Sequence, residues 1–111
     1  MKRGEVWWVA FDPAVGSEVQ KTRPAIIVSN DSANRNLKRV IVVPLTTNTS
    51  RIFPGEARIT VAGELCKAMS DQLMTADKLR LKDKLATLSK SDMLEVERAM
   101  CVHLGLSLIH I

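Results

Sequence analysis

Apolar residues gather in short runs through most of the chain and change period only near its end. Glu5-Val-Trp-Trp-Val-Ala-Phe11 is rich in β-formers and apolar on both faces, so it predicts a first strand covered on both sides. Pro24-Ala-Ile-Ile-Val-Ser-Asn30 predicts a second strand, with proline at its first residue, where no ladder donor is needed. Arg39-Val-Ile-Val-Val-Pro-Leu45 predicts a third, and Pro44 near its end argues for a bulge or an edge there. Glu56-Ala-Arg-Ile-Thr-Val61 alternates as a fourth strand should, and Cys66-Lys-Ala-Met-Ser-Asp-Gln-Leu73 is a candidate fifth. Asp12 to Arg23 carries turn residues without periodicity and reads as a long loop, a kind of segment that often carries function. Asp31 to Lys38 is polar, with room for a helical turn. Thr46-Thr-Asn-Thr-Ser50 is a hydroxyl-rich exit followed by a Pro54-Gly55 turn.

The period then shifts. Met93, Val96, Met100 and His103/Leu104 repeat at helical spacing, and Ser89-Lys-Ser-Asp92 ahead of them has the form of a capping box. Gly105 supplies a stop. The methionines read as core filling. Short strands followed by one terminal helix predict a mainly β domain, a small curled sheet or barrel with the helix packed on it. Neither repeat nor linker interrupts residues 1–106, which read as one domain. The tail, residues 107–111, continues no pattern and resembles the translation of a common sequencing adapter, so it is set apart as non-native in character.

Composition narrows the classes. The chain of 111 residues is 46% hydrophobic and 25% charged, which fits one domain with one core. No apolar run is long enough to span a bilayer, and Met1-Lys2-Arg3-Gly4-Glu5 lacks the apolar stretch of a secretory signal, so a cytoplasmic protein without membrane contact is expected. Cys66 and Cys101 have no CxxC partner and read as reduced thiols. The net charge of +4 lies wholly in residues 1–55, which hold eight basic and four acidic side chains, and a basic half suits a phosphate backbone.

Candidate chemistry follows by exclusion and then by clustering. There is no GxxxxGK[ST] loop, no GxGxxG and no HExxH. The two histidines, His103 and His110, lie in the helix and the tail, so neither a two-histidine nuclease nor a histidine-rich metal site is expected, and no cofactor is implied. Acid–base and charge-stabilising work falls on Asp, Glu, Lys, Arg and hydroxyls. Their densest cluster is Gly16-Ser17-Glu18 with Lys21-Thr22-Arg23-Pro24. Proline disfavours helical backbone before it, so Arg23 should sit extended at a loop–strand junction, able to hold a guanidinium against phosphate. On spacing alone, a surface ion pair between Glu18 and Arg23 is the simpler explanation. Thr46 could bond phosphate or merely cap its turn, and Asp71 and Gln72 read alone as the exposed face of the fifth strand. Of Trp7 and Trp8, on opposite faces of one strand, one belongs to the core and the other to an interface or a base-stacking surface.

Taken in order, Arg3-Gly-Glu-Val-Trp-Trp-Val, Asp12-Pro13, Gly16-Ser17-Glu18, Arg23-Pro24-Ala25, Val28-Ser29-Asn30-Asp31, Val43-Pro44-Leu45-Thr46 and Asp71-Gln72-Leu73 resemble the PemK/MazF toxins, from about residue 2 to residue 106. The resemblance implies an SH3-like small barrel of the kind shared with CcdB. It also implies a homodimer, endoribonuclease activity on single-stranded RNA at short motifs, and an antitoxin partner. By the same resemblance Arg23 is the catalytic arginine, Thr46 the threonine beside the phosphate and Glu18 the acidic residue of the Gly-Ser-Glu loop. Asp71 stands where some members have a catalytic aspartate. Ser17 and Met69 replace a histidine and an arginine of the plasmid-borne members, which places this chain nearer the branch that relies on the arginine–threonine pair. Ser17, Lys21, Asp71 and Gln72 are therefore secondary candidates for catalysis or RNA binding.

The residues present suit metal-free cleavage by the RNA's own 2′-OH, with Arg23 stabilising charge, Thr46 holding a phosphate oxygen and Glu18 as base or orienting group. Two rivals remain at this level: a non-enzymatic gyrase poison of the CcdB type on the same barrel, and a plain RNA-binding module.

Overall fold

The computed structural model describes residues 1–106; the tail 107–111, with His110, lies outside the described residues. Seven strands run in order as β1 (Glu5–Ala10), β2 (Thr22–Ile27), β3 (Arg39–Thr46), β4 (Glu56–Val61), β5 (Glu64–Met69), β6 (Met74–Asp77) and β7 (Leu81–Thr87). Helix α1 (Asp31–Asn36) separates β2 from β3, α2 (Lys90–Leu104) closes the described chain, and 3-10 turns occupy Ser70–Gln72 and Lys78–Arg80.

The antiparallel sheet follows the path β4-β5-β3-β2-β1-β7. Strand β3 is its pivot. One edge pairs with β2; along the other, Arg39–Val42 pair with β6 and Leu45–Thr46 with β5. Two partners splayed along one edge force the sheet to curl into a half-barrel. The inner face buries Val6, Ile26, Val43, Leu45, Ile59 and Ala68 against Val96 and Ala99 of α2. The outer face of the central strands buries Val9, Ala25, Ile27, Val40 and Val42 under Phe11, Ala76 and Leu81. The first strand is therefore covered on both sides, as its composition predicts.

Three boundaries differ from the sequence reading. Strand β2 starts at Thr22, because Thr22 and Arg23 already pair with Ala10 and Val9 of β1. Pro24 is tolerated inside it since the β2–β3 ladder ends at Ala25↔Pro44, so both prolines sit where that pairing stops. The strand also ends before Asn30, whose side chain accepts from the Ala33 N–H and caps α1. The fifth strand begins at Glu64, directly after a two-residue turn in which Ala62 and Gly63 both have positive φ (50° and 81°). That geometry matches the twist of the flanking strands. It consumes the strand by Met69, so Asp71 and Gln72 lie in a 3-10 turn and not on a strand face.

Strands β6 and β7 have no counterpart in the sequence reading. β7 carries Lys82, Asp83 and Lys84 and has weak intrinsic β preference; pairing with β1 at the end of the sheet makes it a strand. Helix α2 has the expected cap, Ser89 Oγ accepting from the Asp92 N–H at 3.1 Å. The box is only half formed, because the Asp92 carboxylate instead accepts from Thr60 N–H at 3.0 Å and ties the helix to β4. Met93 and Met100 pack on the inner core, while His103 and Leu104 are exposed. Gly105 closes the helix at φ 70°.

Candidate active site

The loop from Asp12 to Lys21 folds back over the outer face of the sheet, and three contacts fix it there. Arg80 Nη1 donates to the carbonyls of Ala10 and Asp12 at 2.9 and 2.8 Å. The Asp12 carboxylate accepts from Lys21 N–H at 2.9 Å, across a backbone with φ 64° at Lys21. The Gln72 amide oxygen accepts from Val19 N–H at 2.7 Å, which ties the loop to the Ser70–Gln72 turn.

Where β2 leaves this loop, Arg23 lies opposite Thr46. The ladder's last pair is Ala25↔Pro44, and the same register carried two residues further brings Arg23 to Thr46. Both side chains line one open groove of about 380 Å³, together with Ser17, Glu18, Lys21, Met69 and Gln72. Six of the seven candidates thus meet in one place. Asp71 does not line this groove. It borders the adjoining cleft of about 590 Å³, which shares Ser17, Glu18 and Gln72 with the first and has Phe11, Val19 and Met74 in its walls.

The simple ion pair between Glu18 and Arg23 does not form: among the described residues no salt bridge joins them. Glu18 Oε1 instead accepts from Val15 N–H at 2.7 Å and shapes the loop. Arg23 Nε donates to the Gln20 carbonyl at 3.0 Å, which holds one edge of the guanidinium. The Arg23 side chain also lines the groove. Thr46 does both things its position allows, since Oγ1 accepts from Asn48 N–H at 3.3 Å and also lines the groove.

Trp7 and Trp8 part as their alternation predicts. Trp7 packs on the outer core, with its indole N–H donating to Glu5 Oε1 at 2.9 Å. Trp8 remains 37% exposed and walls a hollow of about 330 Å³ that also touches Arg23, Thr46 and Cys66. Cys66 and Cys101 are free thiols. Burial, with Glu64 nearby, pushes the Cys66 thiol up, so it is protonated and a poor nucleophile. Among the described residues, no three His, Cys, Asp or Glu side chains come together as a metal site, and no helix is long and apolar enough to cross a membrane. Arg80 is the supporting residue that sequence reasoning missed. Its partners lie 68 and 70 residues away, so no local pattern marks it.

Comparison with known proteins gives a consistent picture. Residues 2–104 match the family described as the PemK-like, MazF-like toxin of type II toxin–antitoxin systems. The chain is 36% identical to the endoribonuclease MazF9 of Mycobacterium tuberculosis, over 96% of this chain and 98% of that protein. It is 34% identical to the endoribonuclease MazF of Staphylococcus epidermidis, over 96% and 93%. Among solved structures, an endoribonuclease in complex with its cognate antitoxin from Mycobacterial species superposes with a TM-score of 0.83 at 26% identity, covering 98% of this chain and 99% of the other. MazF of Deinococcus radiodurans superposes with a TM-score of 0.84 at 23% identity over 96% and 97%, a likeness of fold.

Proposed function

Because this chain belongs to the PemK-like, MazF-like toxin family, we propose that it is the toxin of a type II toxin–antitoxin pair and an endoribonuclease that cuts single-stranded RNA without a metal. The observation that carries this reading is the groove in which Arg23 and Thr46 stand opposite each other with Glu18 beside them. Its relatives' activity and the basic first half of the chain support it.

The chemistry is transesterification. The 2′-oxygen bonds to the adjacent phosphorus, the bond to the 5′-oxygen breaks, the 2′-OH proton leaves to a base and the 5′-oxygen takes one up. Charge gathers on the phosphoryl oxygens. Arg23 lines the groove, and a guanidinium offers a planar fork of N–H donors, so stabilising that charge is its role. Thr46 Oγ1 holds a phosphate oxygen. Glu18 serves as base or orients the loop that presents Lys21 and Ser17. DNA lacks the 2′-OH and is spared. The cytoplasm, where single-stranded RNA is made and translated, is the compartment we propose for this action.

Two partners complete the reading. Trp8 and Leu65 remain exposed on the sheet, apolar surface that a second copy of the chain would cover, and sedimentation at micromolar concentration tests for the dimer. An acidic antitoxin segment that folds on binding would occlude the groove, so adding it should stop cleavage.

The deciding experiment incubates purified protein with a long RNA in excess chelator and maps the ends. Cuts leaving 2′,3′-cyclic phosphate and 5′-hydroxyl are expected. Dependence on divalent metal, or equal cutting of single-stranded DNA, would defeat the mechanism. Binding without scission would favour the RNA-binding module, and gyrase inhibition without scission would favour the CcdB-like poison.

A further inference from the structure

We infer that Phe53 and Arg51, on the segment between β3 and β4, form a nucleobase-stacking subsite that takes a base of the single-stranded RNA beyond the cleavage groove. The inference rests on the RNA-cleaving reading above and adds a site to it.

Phe53 is 53% exposed, a costly position for an aromatic ring that the inner core could have taken. It is not a loosely held ring. Lys67 Nζ lies 5.8 Å from the ring centroid and Arg51 Cζ also lies 5.8 Å from it, both within the range of cation–π attraction. The two cations differ in setting. The Lys67 side chain is 12% exposed and is anchored by Glu56 Oε1 at 3.2 Å and the Arg51 carbonyl at 2.9 Å, so it supports the ring from the protein side. Arg51 is exposed. Its guanidinium can stack on a base lying on the ring, or reach the phosphate of the same nucleotide.

The segment itself is braced. The Glu56 carboxylate accepts from Phe53 N–H at 2.9 Å, and Gly55 lies so close to His103 of α2 that an added Cβ would stand 3.1 Å from its ring and Cβ. A preorganised aromatic platform loses little freedom on binding.

Position links this platform to the groove. Phe53, Gly55 and His103 border a small cleft of about 180 Å³ whose remaining wall includes Asp71. Asp71 also borders the larger cleft that shares Ser17, Glu18 and Gln72 with Arg23 and Thr46. The surface is therefore continuous from the Arg23–Thr46 pair through Asp71 to Phe53. A strand of RNA laid along it meets a charge stabiliser, a carboxylate able to accept from base N–H groups, and an aromatic face flanked by cations, the combination that single-stranded nucleic acid binders use.

The test uses the whole protein and a 12-nucleotide RNA centred on a mapped cut site, methylated at the attacking 2′-oxygen so that it binds without being cut. Binding is followed by fluorescence anisotropy while one abasic nucleotide is moved along the strand. Phe53→Ala should weaken binding about 5- to 150-fold, the range for losing one base–aromatic stack, and Phe53→Trp should restore it. At one flanking position, the abasic nucleotide should weaken wild type by a similar factor and cost Phe53→Ala nothing further. Equal binding by wild type and Phe53→Ala would overturn the subsite. So would losses that multiply in full at every abasic position. If wild type neither binds nor cuts RNA, both the subsite and the RNA-cleaving reading fall; if it cuts RNA and Phe53→Ala binds normally, only the subsite does.

Discussion

Replacing Arg23 with alanine should abolish most cleavage and leave the fold intact. The structure separates the two effects. In the fold, the Arg23 side chain makes one hydrogen bond, Nε to the Gln20 carbonyl at 3.0 Å in an exposed setting, and no ion pair with Glu18. Losing such a contact costs on the order of 0.5–1 kcal/mol, which moves a melting midpoint by a few degrees in a domain of this size. The backbone pairing of Arg23 with Val9 does not depend on the side chain. In the reaction, Arg23 is the cation that faces Thr46 across the groove, and removing one preorganised charge stabiliser lowers the rate about 10²–10³-fold, or ~3–4 kcal/mol of barrier. Arg23→Lys should rescue poorly, because an ammonium cannot keep one edge on Gln20 and present a planar fork to phosphate with the other. The assay is the single-turnover rate on a defined RNA, with thermal melting of the same samples. A variant that melts like wild type and still cuts at near-normal rate would refute the site. One that loses activity only by unfolding would show Arg23 to be structural.

Two further perturbations probe what surrounds the site. Arg80→Ala should free the loop it clamps at Ala10 and Asp12, speeding hydrogen exchange at Lys21 N–H and lowering the cleavage rate about 10-fold at a stability cost of ~1–2 kcal/mol, with lysine a poor substitute; unchanged exchange would show that the loop holds itself. Burial pushes the Glu5 carboxyl up, but Lys2 N–H, the Trp7 indole and Lys84 together outweigh that and hold it at about 2, below its ordinary 4.5. A carboxyl lowered by folding stabilises fully above its unfolded value, so about 2–3 kcal/mol should drain away as pH falls from about 4.5 toward 2. Glu5→Gln should be less stable at pH 7 and should lose that part of the acid dependence, as denaturant melts across pH would show.

The fold was legible wherever one strand carries its own signature. β3 and β4 are continuous or alternating apolar runs, and α2 has a cap, a period and a stop, so local pattern and final structure agree. β7 was not legible, because Lys82-Asp83-Lys84 puts three charged residues in a row and breaks any apolar alternation, and only pairing with β1 makes the segment a strand. The fifth strand was misplaced for a different reason. Its start is set by the Ala62-Gly63 turn, and alanine at positive φ is a residue that turn statistics do not favour.

The site shows the same division between local and distant causes. Ser17, Glu18 and Lys21 lie in one loop and Arg23 follows two residues later on β2, so their clustering is visible in the chain itself. The meeting of Arg23 with Thr46 is not local, since it exists only through the register of β2 on β3. With both faces of these strands buried, alternation of polar and apolar residues cannot set that register, and size must. Small, fully buried Ala25 sits between Trp7 on β1 and Pro44 on β3, where close packing penalises a change in volume, and the two prolines end the ladder at that point. A slip of one residue would turn Arg23 to the opposite face of the sheet and away from Thr46. The apolar packing around Ala25 is thus what places a guanidinium opposite a hydroxyl, and the chemistry of the groove depends on core residues that never touch it.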